Sequence, residues 1–87
     1  MGCASDPPYE EYTLAQAAMR AAQDVDSARF SSGLWNKADD SYRSGQRAFK
    51  EAEFASAKSY FKDALQLAER AENATRLKKF QTGDSFP

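Results

Sequence analysis

Three features of this chain could do chemistry. Cys3 is the only thiol, Asp39-Asp40 and the Asp24/Asp26 pair set carboxylates close together, and Asn73-Ala74-Thr75 spells a glycosylation acceptor. Paired carboxylates can act as acid and base or hold calcium, but a calcium loop needs oxygens at alternate positions, a glycine turn and a closing Glu. No such loop is present. Asp39 and Asp40 fall in the first turns of a predicted helix, where acidic side chains complement the helix dipole. The Asn73 motif lies inside a predicted helix and is set aside. The chain has no histidine, and it shows neither a Gly-rich phosphate loop nor a nucleophile elbow. We therefore expect no catalytic, cofactor-binding or metal site, no enzyme and no small-molecule substrate.

At 87 residues the chain is one domain. Its formal charge is −1, so no global field draws it to nucleic acid, and a nucleic-acid partner is not expected. No run of about 18 apolar residues occurs, and a lone cysteine closes no internal disulfide. The hydrophobic share is 41%, yet it includes no Ile and only one Val, so apolar volume must come from alanines and rings.

Periodicity places these residues on helices. Met1 to Tyr12, with Pro7-Pro8, favours an extended path and is expected to be a flexible tether. Leu14, Ala18, Ala21, Val25 and Ala28 recur at spacings of 4, 3, 4 and 3, predicting a first helix over 13–30. Ser31-Ser32-Gly33 should reverse the chain. Ala38, Tyr42, Gly45, Phe49 and Ala52 repeat the rhythm in a second helix, entered by Leu34 and Trp35. Phe54, Ala57, Phe61, Ala64, Ala68 and Ala71 give a third and longest helix, which Gly83 should end, leaving 82–87 frayed. The expected fold is all-α: an antiparallel three-helix bundle over 13–81. Gly45 is expected to let the second and third helices approach closely.

Residues 38–71 resemble one tetratricopeptide repeat, a helix–turn–helix unit, with Gly45, Phe54, Ala57, Phe61 and Ala64 at the spacings that family uses. Ser41, Ala48 and Glu69 stand where the family has Trp, Tyr and Pro. The resemblance implies a helical hairpin, and on such hairpins the first helix lines the ligand-binding side, which here would expose Tyr42, Gln46, Phe49 and Lys50. With Trp35 these form the expected partner surface.

Gly2-Cys3-Ala4-Ser5 resembles the end of a bacterial lipobox, and with a proline-bearing tether and an Ala-rich helical domain the whole chain is similar to short Ala-rich envelope lipoproteins. The resemblance implies lipidation at Cys3, with Ala4 directing the protein to the outer membrane, facing the periplasm. Two other readings of Cys3 stand beside it. Met1-Gly2-Cys3 would suit dual acylation in a eukaryote, although Asp6 occupies the position where that pattern wants Ser or Thr, and the thiol can equally have no role.

Charge is uneven along the chain. Residues 1–40 carry a net of −4 and residues 41–87 a net of +3, so an acidic first helix is expected to lie against a basic hairpin. Two functions follow as expectations. One is a non-enzymatic, lipid-anchored interaction or scaffolding module whose partner is another envelope protein. The other is a structural lipoprotein that stabilises an assembly by associating with itself through its Ala-rich face.

Overall fold

The structure is a computed structural model and describes residues 6–82. Cys3, the rest of the lipobox-like segment and the tail from Gly83 lie outside the described residues. The described residues are all-helical, with α1 over Tyr9–Asp24, α2 over Ser27–Phe30, α3 over Ser32–Lys50 and α4 over Phe54–Thr82, and no strand. Four helices replace the three expected, because the reversal between α1 and α3 is spread over residues 25–31 with the single turn of α2 inside it.

α1 begins at Tyr9, inside the segment expected to be a tether. Pro8 is the reason: it lies at φ −82° and ψ 65°, and the Tyr9 N–H donates to the Pro7 carbonyl at 2.9 Å, which closes an inverse γ-turn. The Pro8 carbonyl then accepts from the Tyr12 N–H at 3.0 Å and starts the helix. A proline at the N-cap sacrifices no intrahelical donor.

The buried face of α1 is Ala15, Ala18, Met19 and Ala22, while Leu14 and Ala28 are exposed, so the expected stripe is displaced by about one residue. Residues 14–22 are so rich in Ala that hydrophobic spacing alone leaves the phase open; close approach of the backbones selects the alanines. The stripes of α3 and α4 hold except at one end: Ala38, Gly45, Ala57, Phe61, Ala64, Ala68 and Ala71 are buried and Tyr42, Phe49 and Phe54 half-buried, but Ala52 lies in the turn past the end of α3 and is exposed.

α4 is the shared partner, packing along both α1 and α3, while α1 and α3 meet mainly where Tyr9 and Tyr12 reach Tyr42, Gln46 and Phe49. Tyr12 meets Phe61 and Phe49, whereas Ala18 and Ala22 share a cluster with Ala38, Ala68 and Ala71. α1 therefore runs parallel to α4 and antiparallel to α3, in a rod 54 Å long and 19 by 15 Å across. Contact between α1 and the rest is largely apolar and aromatic, with Gln46 Nε2 donating to the Tyr12 hydroxyl across it. Where an acidic first helix was expected to lie against a basic hairpin, the described residues show local pairs: Asp26–Arg29 at 3.8 Å, Asp39–Arg43 at 3.0 Å and Glu72–Arg76 at 2.8 Å, each at the surface.

Gly45 is the tightest point. A Cβ placed there would lie 2.7 Å from Cε1 and 2.8 Å from Cδ1 of the Phe61 ring, whereas a Cβ at Gly33 meets nothing within 4 Å. Ala favours a helix over Gly by about 1 kcal/mol. Gly33→Ala should thus stabilise by a few tenths to about 1 kcal/mol, and Gly45→Ala should destabilise by about 1–3 kcal/mol because overpacking outweighs propensity. Denaturant midpoints of the two variants moving in the same direction would refute the close approach.

The turn from α3 to α4 is a Schellman motif. The Glu53 N–H donates to the Ala48 carbonyl at 2.8 Å and the Ala52 N–H to the Phe49 carbonyl at 3.1 Å, with Ala52 at φ 60°. Alanine carries a Cβ into a conformation that suits glycine, and it is exposed. Ala52→Gly is expected to stabilise by about 0.5–1 kcal/mol, the relief of strain exceeding the added freedom of the unfolded chain. Thermal unfolding measures it, and a lower midpoint would count against the left-handed turn.

Candidate functional site

The residues expected to form a partner surface lie where α1 crosses the hairpin. Tyr12 stacks on Phe61 with ring centroids 4.5 Å apart and planes 11° from parallel, and it meets Tyr42 at 6.1 Å and Phe49 at 5.4 Å edge-on. Tyr9 packs edge-on against Phe49 at 5.6 Å, and Phe49 against Phe54 at 5.6 Å. Gln46 Nε2 donates to the Tyr12 hydroxyl at 3.4 Å. Tyr42, Gln46 and Phe49 are thus half-buried beneath α1 and occupied by contacts within the chain. Trp35 is also half-buried, packed against the alanine cluster, and Lys50 is exposed. The side that the repeat resemblance would turn toward a ligand is the side α1 covers. The Ala-rich face expected to serve self-association is likewise enclosed within one copy, since Ala15, Ala18, Ala22, Ala64, Ala68 and Ala71 are all buried between helices.

Away from α1, the seam between α3 and α4 opens into two shallow clefts. One, of about 220 Å³, is lined by Ser41, Asp63, Gln66, Leu67 and Arg70. The other, of about 170 Å³, is lined by Ser44, Arg47, Ala48, Glu51, Glu53 and Tyr60. Both mix acids, bases and hydroxyls at the surface, which suits polar contact with another macromolecule more than enclosure of a small ligand. Among the described residues no group of three His, Cys, Asp or Glu side chains could hold a metal ion. Asp39 pairs with Arg43, and Asp24 and Asp40 are exposed.

A cluster that sequence reasoning missed lies at the other end of α1. Ser27, Ser31 and Thr75 are buried, with Ser27 Oγ 2.9 Å from Thr75 Oγ1, which in turn donates to Ser31 Oγ at 2.9 Å. Thr75 has one hydroxyl proton and gives it to Ser31, so Ser27 is the donor to Thr75. The signal was present in the stripe: Thr75 follows Ala71 by four residues, in register with Ala64 and Ala68. Tyr12 carries no such signal, since it ends the segment that Pro7-Pro8 marks as a tether.

Burial pushes the Tyr42 hydroxyl above its ordinary pKa, the neighbouring Tyr12 adds to the shift by charge and hydrogen bonding, and Arg20 pulls weakly the other way. In the unfolded chain a tyrosine ionises near pH 10, while folded Tyr42 keeps its proton to higher pH. The contribution of Tyr42 to stability is therefore complete below about pH 10 and is lost as pH rises through its folded pKa. Tyr42→Phe should make the alkaline fall of Tm shallower than in the wild type; parallel Tm curves from pH 8 to 11 would contradict the buried hydroxyl.

Comparison with family models, with curated proteins and with solved structures finds no match for this chain.

Proposed function

We propose that this chain is a non-enzymatic, lipid-anchored interaction or scaffolding module of the bacterial cell envelope, held at the outer membrane through Cys3, facing the periplasm and engaging another envelope protein. The observation that carries the reading is the place where α1 starts. Its first turn is fixed by Pro8 and by the rings of Tyr9 and Tyr12 against Phe49, beside the α3–α4 turn. An anchor at Cys3 would hold the rod by that end. Residues 3–6, at about 3.1 Å each if extended, would reach about 12 Å before the turn at Pro7 and Pro8, less than the roughly 30 Å of a tether running to Tyr12. The far end of a 54 Å rod then extends into the periplasm. It carries Leu77 and Phe80 on α4, 58% and 62% exposed and one turn apart, flanked by Arg76 and Lys78. An exposed apolar pair is suited to contact with a protein surface.

In the finer fold reading that goes with this function, α1, α3 and α4 are a three-helix bundle and α3–α4 a tetratricopeptide-like hairpin. Gly45 against Phe61, with Ala57 and Ala64 buried beside them, supports the resemblance. The 29-residue α4 departs from it.

The test is anchoring. In cells expressing the precursor, the wild-type protein should fractionate with the outer membrane and Cys3→Ser with the soluble periplasm, and mass spectrometry should find acyl chains on Cys3. A wild-type protein wholly in the soluble fraction, or a Cys3→Ser protein still in the membrane, would refute the anchor.

A further inference from the structure

Nothing in the local sequence demands that α1 stop at Asp24. From Tyr9 to Lys50 the chain holds no proline, its first glycine is Gly33, and Gly33 is already inside α3. The break is made by two other things. Asp26 takes the left-handed conformation at φ 72° and ψ 39°, which a side chain disfavours even though Asp tolerates it better than most. Beyond it, the buried hydroxyls of Ser27 and Ser31 are tied through Thr75 to α4, so the bend is fastened from the side.

We propose that residues 25–31 are a hinge with this hydroxyl cluster as its catch, and that when the hinge straightens, α1 leaves its own hairpin and docks on α4 of a second copy of the chain. Straightening would turn residues 9–50 into one helix of about 63 Å. It requires both Asp26 and Ser31, the latter at φ −138° and ψ 54°, to become helical, which re-aims α2 and gives up the seating of Ser27 and Ser31 on Thr75 that the closed form makes. In return Asp26 leaves the left-handed region. The contacts α1 makes are kept by exchange: Tyr12 finds an identical Phe61, and Ala15, Ala18 and Ala22 find identical alanines, now on the second copy. A buried Ala face can thus hold two copies together without being exposed on either. This inference goes beyond the anchored-module reading and does not rest on it, because exchange needs no acyl chain.

Two substitutions at one position should push the equilibrium in opposite directions. Gly accepts the left-handed conformation and disfavours the straight helix, whereas Ala does the reverse. With the full chain refolded at low and at high concentration and its mass followed by light scattering, Asp26→Ala and Ser27→Ala should dimerise at least about tenfold more tightly than Asp26→Gly. The wild type should fall between them. Exchange is distinguished from side-by-side pairing by cross-linking in a Cys3→Ser background. A chain carrying Ala15→Cys and a chain carrying Ala64→Cys, substituted within one core cluster, should form a mixed disulfide when refolded together and none when mixed after folding. Monomers at every concentration for the wild type and the Ala variants would overturn the proposal. So would a dimer in which the Ala15→Cys and Ala64→Cys chains fail to cross-link after refolding together. The cross-linking experiment decides the matter even where a hinge variant does not fold.

Discussion

The fold depends on the placing of one ring. Among the described residues Phe61 is the largest side chain buried completely, and it occupies the space left by the missing side chain of Gly45, with Tyr12 stacked on it. That arrangement ties together all three long helices. α3 must bring a glycine to the crossing or stand off from α4, and α1 must deliver Tyr12 at the same level. Offset stacking and edge-on contacts among Tyr12, Tyr42, Phe49 and Phe61 contribute beyond the area they bury, by about 0.5–1.5 kcal/mol a pair. The ring cluster therefore sets the register of α1 along α4, and with it which alanines meet farther along.

From that level outward the interior is almost entirely alanine. Ala18, Ala22, Ala38, Ala68 and Ala71 bury little apolar area each, so the alanine seam itself gains little by transfer from water, and Met19 with the half-buried Leu34, Trp35, Leu65 and Leu67 around it supplies most of that gain. What the seam gains instead is dispersion between closely approaching backbones. Small side chains also distinguish poorly between alternative registers, and this is where the polar cluster enters. Ser27, Thr75 and Ser31 satisfy one another only when the turn through α2 is seated on α4, because each unpaired buried hydroxyl would cost about 1–3 kcal/mol. The rod is thus fixed at both ends by directional contacts and held between them by nondirectional ones.

This division explains what could be read in the sequence. The stripes of α3 and α4 were legible because Phe49, Phe54 and Phe61 mark one face unambiguously, and Gly45 could be assigned to a close crossing from its place in that stripe. The stripe of α1 was not, since seven of the nine residues from Leu14 to Ala22 are apolar and the phase is decided by α4, not by α1 itself. The break at Asp26 was invisible for a related reason: its local residues continue a helix, and what opposes them is Thr75, almost fifty positions away. Pro8 misled in the opposite sense. A proline pair reads as an extended arm, yet the second proline of such a pair also fits the N-cap of a helix, and the ring partners that draw Tyr9 and Tyr12 into that helix lie on α3 and α4.

The same packing redistributes the surface that the sequence seemed to offer. Trp35, Tyr42, Gln46 and Phe49 look like a binding face on a hairpin considered alone, but α1 has three of them beneath it and Trp35 lies in the alanine cluster. Exposed surface is consequently of a different kind: polar clefts along the outer seam of α3 and α4, the apolar pair near the end of α4, and the outer sides of Tyr9 and Leu14 on α1. Any partner that needed the ring face would first have to displace α1. Displacement exposes Phe61 and the alanine stripe together, so its cost is borne by the whole core unless an equivalent helix takes the vacated place at once.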